Sequence, residues 1–221
     1  MIITLDGPAG AGKSSAARAL AARLGWCYMD TGAMYRTVTL VALERSIPLD
    51  DSARMAALAE ELRIEFRAGR VLVDGRDVSA EIRTERITAA TRPVADAPAV
   101  RAAMKHIQRR MAAGLDIVTE GRDQGSEVFP HADVKVFVTA SPEERARRRH
   151  REEEARGSGL TLADIQAAQA VRDDGDRSRA VGAMRAAEDA VTLETDGLSP
   201  DEVVDRLVAL VEARRGPRGP A

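Results

Sequence analysis

The sequence predicts an α/β fold: a parallel β-sheet with helices on both faces, interrupted by an inserted subdomain and carrying a short lid. Three observations predict it. Short apolar runs alternate with helical patterns at both ends of the 221-residue chain. A glycine-rich loop joins the first run to the first helix. A long mixed stretch separates the first two strands from the rest. The expected organisation is a core over 1–46 and 93–221 with a lid at about 145–165, an insert over 47–92, and a disordered tail over 215–221.

Taken in order, Ile2-Ile3-Thr4-Leu5 is an apolar run suited to a buried parallel strand. Gly7-Pro8-Ala9-Gly10-Ala11-Gly12-Lys13-Ser14 follows with the spacing G-x-x-x-x-G-K-[ST], and Ser15 to Leu24 is Ala-rich and helical. With a strand before it and a helix after it, this is a P-loop. Its glycines let backbone N–H groups form a nest around a polyphosphate. The helix N-terminus adds a favourable dipole, Lys13 brings positive charge to the β- and γ-phosphates, and the Ser14 hydroxyl can ligate Mg²⁺. The sheet is therefore expected to be of P-loop NTPase type. Trp26 to Asp30 is a second strand, Thr31-Gly32 a turn, Ala33 to Arg45 a helix and Ser52 to Leu62 another. Ile64–Arg67 and Val71–Asp74 flank Ala68-Gly69-Arg70 as a hairpin, with Asp77-Val78 as a further short strand. Thr84–Thr91 and Ala99–Ala112 are helical patterns with Pro93 and Pro98 breaking between them. Ile117-Val118-Thr119 and Val134 to Val138 are buried strands. Ser141-Pro142 starts a helix, Gly157-Ser158-Gly159 breaks it, and Thr161 to Arg172 resumes. Ala190 to Leu193 is a last strand, and Ser199 opens a helix running to about Arg214.

Composition excludes several classes. Charged residues are 31% and hydrophobic ones 44%, a globular balance, and the net charge of −2 gives no case for nucleic-acid or membrane binding through bulk charge. One cysteine, Cys27, excludes an intrachain disulfide, and His106, His131 and His150 show no metal-ligand spacing. No apolar run approaches ~18 residues, and Met1 leads straight into the first strand, so a cytoplasmic protein is expected. The bases are nearly all Arg. Lys13, Lys105 and Lys135 are the only lysines, so Lys13 stands out.

Ligands of such sheets sit beyond the carboxyl ends of the strands. Four stretches dense in Arg and carboxylate fall near strand ends or helix turns: Asp30 to Arg36, Glu120-Gly121-Arg122-Asp123, Arg145 to Arg151, and Arg172 to Arg179. Guanidinium groups bind phosphate bidentately and stay charged, so a site that moves a phosphoryl group would use several. Each stretch has a plainer alternative. Spacing alone leaves Arg36 open to being a surface residue. The arginine run has Glu144, Arg148 and Glu152 at i,i+4 spacing, as on a salt-laced exposed helix, although its glycine-flanked far end suits a mobile lid. Arg172–Arg179 could be a charged helix end, but seven polar or charged groups in eight positions favour a functional role.

Nearly the whole chain resembles bacterial cytidylate kinases, of the nucleoside monophosphate kinase group. The resemblance rests on Leu5 to Ser14, on Asp30-Thr31-Gly32-Ala33-Met34-Tyr35-Arg36, and on Gly121-Arg122-Asp123 with Val128-Phe129-Pro130. It rests also on Arg172-Asp173-Asp174 with Asp176-Arg177 and Arg179-Ala180-Val181, and on Asp77 to Thr84 in the insert. The resemblance implies in-line transfer of the ATP γ-phosphoryl group to CMP, and to dCMP, in pyrimidine nucleotide metabolism. Residues 47–92 become the NMP-binding subdomain. Lys13, Arg36, Arg122 and Arg179 are the implied catalytic residues, with the three arginines holding the monophosphate. Gly7, Pro8, Ala9, Gly10, Ala11, Gly12, Lys13, Ser14 and Ser15 bind ATP, joined by Arg148 and Arg149. Thr31 and Tyr35 line the acceptor site, Arg101 and Asp123 read cytosine, and Arg172 and Asp176 contact the ribose. Ser14, and Glu120 through a water, hold Mg²⁺. The implied partners are CMP or dCMP and ATP, with no nucleic acid and no membrane, and the enzyme is a monomer.

The Arg101–Asp123 pair is chemically sound for this task. Asp accepts from the cytosine 4-amino group and Arg donates to the ring acceptors. Uracil would leave Asp123 facing a lone pair, and an unpaired buried acceptor costs about 1–3 kcal/mol. The chain departs from the family pattern at Glu120, which stands where Asp is usual, at Arg92, which replaces a small hydroxyl residue, and at Gly175, which replaces a common Arg. Thr31 stands where the family often has Ser. The rival readings are another small-acceptor P-loop kinase, for UMP, AMP, dTMP or shikimate, and a GTP-dependent switch. Against the switch, the chain contains no Asn, so the Asn-Lys-x-Asp guanine signature is absent.

Overall fold

Strand β1 (Ile2–Asp6) is the centre of a five-stranded sheet in a computed structural model that describes residues 1–67, 69–155 and 157–215. The sheet order is β2-β6-β1-β7-β8, with β2 at Cys27–Asp30, β6 at Ile117–Glu120, β7 at Val134–Thr139 and β8 at Val191–Glu194. β1 pairs in parallel with β6 (Thr4 opposite Thr119) and with β7 (Leu5 opposite Val136), and β7 pairs in parallel with β8. The predicted α/β class with a parallel sheet is the observed one.

The chain divides into two compact units: Met1–Tyr28 together with the chain from Leu115 on, and Met29–Gly114. In the first, Ile3 and Leu5 of β1, Val118 of β6 and Val136 and Val138 of β7 form one core with two helices. These are α1 (Lys13–Leu24), contributing Ala16, Ala17 and Leu20, and α8 (Pro200–Arg215), contributing Val203, Leu207 and Val211. The alanines of α1 let its backbone lie close to the sheet, while the larger residues of α8 fill the remaining depth. Burying each Leu, Ile or Val side chain contributes about 1.5–3 kcal/mol. Alternation turns Thr4, between Ile3 and Leu5, toward the opposite face. Helices α6 (Pro142–Glu154, capped by Ser141) and α7 (Leu162–Ser178, opened by a Thr161–Asp164 capping box) pack on one another.

The second unit holds α2 (Thr31–Glu44), α3 (Ser52–Glu61), α4 (Glu85–Asp96) and α5 (Pro98–Ala112). It also holds an antiparallel sheet of β3 (Ile64–Arg67), β4 (Arg70–Val73) and β5 (Arg76–Asp77). The expected hairpin is present with Phe66 opposite Val71, although Ala68 of its turn lies outside the described residues. Met34, Val38, Met55, Leu58, Ile87, Val100 and Met104 are all buried. The unit reaches past the expected 47–92 insert at both ends because α2 packs on α4, and α5 on α3.

Four sequence expectations change, the first at Thr31-Gly32, expected as a turn but opening α2. Pro93 does not end its helix but sits inside α4, which runs to Asp96; an exposed Pro in the third turn loses one backbone bond without breaking the packed face that carries Ile87 and Val94. Helix α7 continues through Arg172 to Ser178, so the acidic and basic residues there are helical. Arg215, assigned to a disordered tail, belongs to α8, with its guanidinium 4.7 Å from the centre of the Trp26 ring. The rest of that tail, 216–221, lies outside the described residues, as does Arg156 in the expected lid. Among the described residues no helix is long and apolar enough to cross a membrane.

Candidate active site

The connections leaving β1 and β7 run to opposite edges of the sheet, toward β2 and β8, so the crevice for a ligand opens at the carboxyl ends of these two strands. The P-loop starts there. Gly7 has φ +138°, and a Cβ on it would fall 2.0 Å from the Val138 carbonyl oxygen, so only glycine lets the loop leave β1 against β7. Gly12, at φ +89°, turns the chain into α1, whose first residues are Lys13 and Ser14. Their N–H groups are first-turn donors with no partner inside the helix, the usual setting for an anion.

Lys13 is buried, and its Nζ donates to the Pro8 carbonyl at 2.7 Å, which holds the ammonium inside its own loop. Burial, reinforced by the charge of Arg122 and opposed by that of Glu120, lowers its pKa to about 7. The Ser14 hydroxyl donates to Glu120 Oε1 at 2.9 Å. A hydroxyl and a carboxylate so close, at the mouth of a phosphate nest, are oxygen donors of the kind that hold Mg²⁺ together with phosphates.

The turn after β6 carries the next charges. Arg122 Nε meets Asp176 Oδ2 at 2.7 Å, and Arg179 Nη2 meets Asp176 Oδ1 at 2.7 Å. Two guanidiniums thus share one carboxylate reaching in from α7. Burial works to raise the Asp176 pKa, but Arg122 and Arg179 overcome it and hold the carboxyl below the ordinary range. Arg122, half-buried there, is held above the ordinary guanidinium range, the charge and hydrogen bond of Asp176 outweighing the cost of burial. Arg172 lies close enough to act electrostatically on both Asp176 and Lys13. Asp123 is buried beside Arg122 and precedes a single π-helical turn, Gln124–Val128.

In the second unit, Asp30 caps α2 by accepting from the Ala33 N–H at 2.7 Å and also faces Arg36 at 3.6 Å. Gly32 permits this: a Cβ there would sit 3.1 Å from Arg36 Nη1. Thr31 is buried in the first turn of the same helix. Arg101 is buried on α5, donates to the Ala95 carbonyl at 2.9 Å, and lies 5.7 Å from the Tyr35 ring centre. Tyr35 and Arg101 are thus brought together, as are Arg36 and Asp30.

The family model for cytidylate kinases matches residues 3–213. The chain belongs to the cytidylate kinase family. It is 51% identical over 211 residues to a cytidylate kinase of Rhodopirellula baltica, covering 96% of this chain and 92% of that one. It is 44% identical over 218 residues to a cytidylate kinase of a Geobacillus species, covering 97% of each chain. A crystal structure from Thermus thermophilus aligns over 98% of both chains with a TM-score of 0.53 at 19% identity, a likeness of fold alone.

Set beside the family pattern, the departures have defined places. Arg92 lies exposed on α4 and pairs with Asp96 at 3.6 Å, one turn along. Glu120 reaches Ser14 despite its extra methylene, and Gly175 sits within α7. Of the α6 arginines expected to bind ATP, Arg148 bonds Glu144 at 2.9 Å and Thr195 at 2.9 and 2.7 Å, beside Gly12 of the P-loop. Arg149 is paired with Glu152 and Glu153.

Three residues left without an individual role by sequence reasoning lie against the candidate site. Asp6 accepts from the Gln124 N–H at 2.8 Å and the Gly125 N–H at 2.7 Å. Burial pushes its pKa up to about 7 against those two bonds; Asp123 adds to the rise and Lys13 opposes it. Arg145 and Asp173 form a buried pair at 2.6 Å, and Arg145 also donates to the Ala9 carbonyl at 3.0 Å while Asp173 accepts from the Ala9 N–H at 3.4 Å. The base of the α6–α7 pair therefore grips the crest of the P-loop. Helical phase was the available signal: Arg145 and Arg148 lie three apart on one face, Arg147 and Arg151 on another.

Proposed function

We propose that this protein transfers the γ-phosphoryl group of ATP in line to a phosphate oxygen of CMP, and of dCMP, giving the diphosphate and ADP. The observation that carries the reading is the pair of guanidiniums, Arg122 and Arg179, held on Asp176, with Arg122 within electrostatic reach of the P-loop lysine. Such an array suits an acceptor that is itself an anion. A phosphomonoester is largely dianionic near neutral pH, so its oxygen needs no general base and none is assigned. Catalysis is then positioning plus neutralisation of charge on the moving group.

In this reading the backbone of Gly7 to Ser15 and the Lys13 ammonium hold the ATP phosphates. Arg148 stands at the same loop, and Arg149 exchanges its carboxylates for phosphate as the α6–α7 lid closes to exclude water. Ser14, and Glu120 through a water, would hold Mg²⁺, which would supply neutralisation of the phosphate charge. Arg36, Arg122 and Arg179 hold the acceptor phosphate, Thr31 and Tyr35 line its site, Arg172 and Asp176 meet the ribose, and Arg101 with Asp123 read the base. Asp176 thus has two tasks, since it also aligns the two phosphate-binding guanidiniums. The enzyme acts as a cytoplasmic monomer on these small molecules.

A coupled assay of ADP release over CMP, dCMP, UMP, AMP, dTMP and shikimate tests the reading. Turnover is expected with CMP and dCMP, more slowly with UMP and not with the others. Preference for AMP, dTMP or shikimate would overturn it.

A further inference from the structure

We infer that Asp6 is a positioning residue for cytosine selectivity: it caps the π-helical turn behind Asp123 and so aims the Arg122–Asp123 dipeptide at the acceptor. The inference rests on the proposed reading of Asp123 as the group that recognises the base.

A helical turn begins with N–H groups that have no partner within it, and the residue at its N-cap, when it is Asp, commonly accepts one of them. The N-cap of Gln124–Val128 is Asp123, and its side chain makes no cap hydrogen bond. The first N–H groups of the turn go instead to Asp6, 118 residues away in sequence, one to each carboxylate oxygen. Capping is delegated across the fold, and the Asp123 carboxylate is kept out of that task.

The support under Asp6 is rigid. It ends the central strand, in register with Phe137 of β7, and its neighbour Leu5 accepts from the Gly121 N–H at 3.0 Å through its carbonyl. The tether thus spans Arg122 and Asp123 on both sides, Gly121 before them and Gln124-Gly125 after. Thr119 at the end of β6 donates to the Gln124 side chain at 3.0 Å. Gly125 lies so near β1 that a Cβ would come within 2.8 Å of Thr4 Oγ1. The turn therefore rests on the Thr4–Asp6 side of β1, and a buried carboxylate is retained there although burial opposes its charge.

Asp6→Asn is the informative variant, because the amide can accept one N–H but presents its own donor to the other. The expected result is a fall in the CMP-to-UMP ratio of kcat/KM of about tenfold, the equivalent of one misdirected hydrogen bond. KM for CMP should rise while KM for ATP moves less than about twofold. An unchanged CMP-to-UMP ratio, including a uniform loss with both acceptors, overturns the inference and leaves Asp6 a structural residue. Asp123→Asn run alongside separates the two levels: if its ratio is unchanged, the base-reading assignment itself fails. Should Asp6→Asn not fold, hydrogen exchange on the unmodified enzyme decides. Gln124 and Gly125 amides protected by about a hundredfold or more support the tether, and exchange at free-loop rates overturns it.

Discussion

Two arginine–aspartate clusters built on buried carboxylates lie in the same unit and do different work. At the base of α6 and α7, Arg145 meets Asp173 one to one, and the remaining bonds of both go to backbone: Ala140 and Ala9 carbonyls for Arg145, the Ala9 N–H for Asp173. At the turn after β6, one carboxylate, Asp176, serves two guanidiniums, Arg122 and Arg179. The first cluster is closed and neutral, and its remaining partners are fixed backbone groups of the P-loop and of the segment before α6. The second carries more cation than anion around a shared aspartate, which is an arrangement suited to receiving a phosphate. Residue type does not distinguish them; stoichiometry and the nature of the partners do.

The largest effect expected from this contrast lies at the loop that both clusters face. Lys13→Ala removes the ammonium held over Pro8 and should reduce turnover by about a thousandfold or more, as loss of a preorganised charge at a reacting group does. Its circular dichroism and melting temperature should stay near those of the parent protein. Retained activity would remove Lys13 from the phosphate role.

The paired variants Arg145→Gln and Arg122→Gln then set the clusters directly against each other. Arg145→Gln strands Asp173, which is 1% exposed, so it should cost about 3–5 kcal/mol of stability and lower the melting temperature by roughly 10 °C. Arg122→Gln leaves Asp176 with Arg179 and should cost about 1 kcal/mol, while kcat/KM for CMP falls about a hundredfold or more. Melting curves and initial rates on both proteins check this. If Arg122→Gln costs the more stability and Arg145→Gln the more activity, the assignment of roles is inverted.

Acid sharpens the same comparison at Asp176. Its folded pKa lies below the unfolded value of about 3.9, so its ion pairs stabilise the protein above that pH. That contribution is lost as the pH falls through the lower, folded value. Asp176→Asn removes the charge at every pH. The gap in melting temperature between the two proteins should therefore be full at pH 6–7 and shrink on acidification below about pH 4. A gap that stays constant down to the acid limit would mean that Asp176 stabilises by packing rather than by charge.

How much of this was legible depended on the range of the interaction. The P-loop, strands β1, β6 and β7, and the Ser141 cap are set by neighbours in sequence, so their spacing was enough. Glu144 and Arg148, one turn apart, were readable as a pair and do meet, at 2.9 Å. The Asp6 tether was not, because nothing near Leu5-Asp6-Gly7 says that its carboxylate will meet Gln124 and Gly125; the register of β1 with β6 creates that meeting. Pro93 misled for a related reason. A local rule assigns a break, while the buried positions Ile87 and Val94 hold α4 together across it. Arg145 was hidden by its company, since a run of arginines looks uniform until the helix acquires neighbours.

The smallest expected effect tests that last point. Arg147 and Arg151 belong to the same run as Arg145, but their side chains are 63% and 68% exposed and their approaches to Glu144 are 3.7 and 3.6 Å. Exposed pairs of this length gain little Coulomb energy in water and lose side-chain entropy. Arg147→Ala and Arg151→Ala should each change stability by no more than about 0.5 kcal/mol and leave kcat/KM for CMP and ATP within about twofold. A substantial loss in kcat with unchanged melting temperature would instead place these two arginines in the lid chemistry, and the line drawn between the inner and outer faces of α6 would have to move outward.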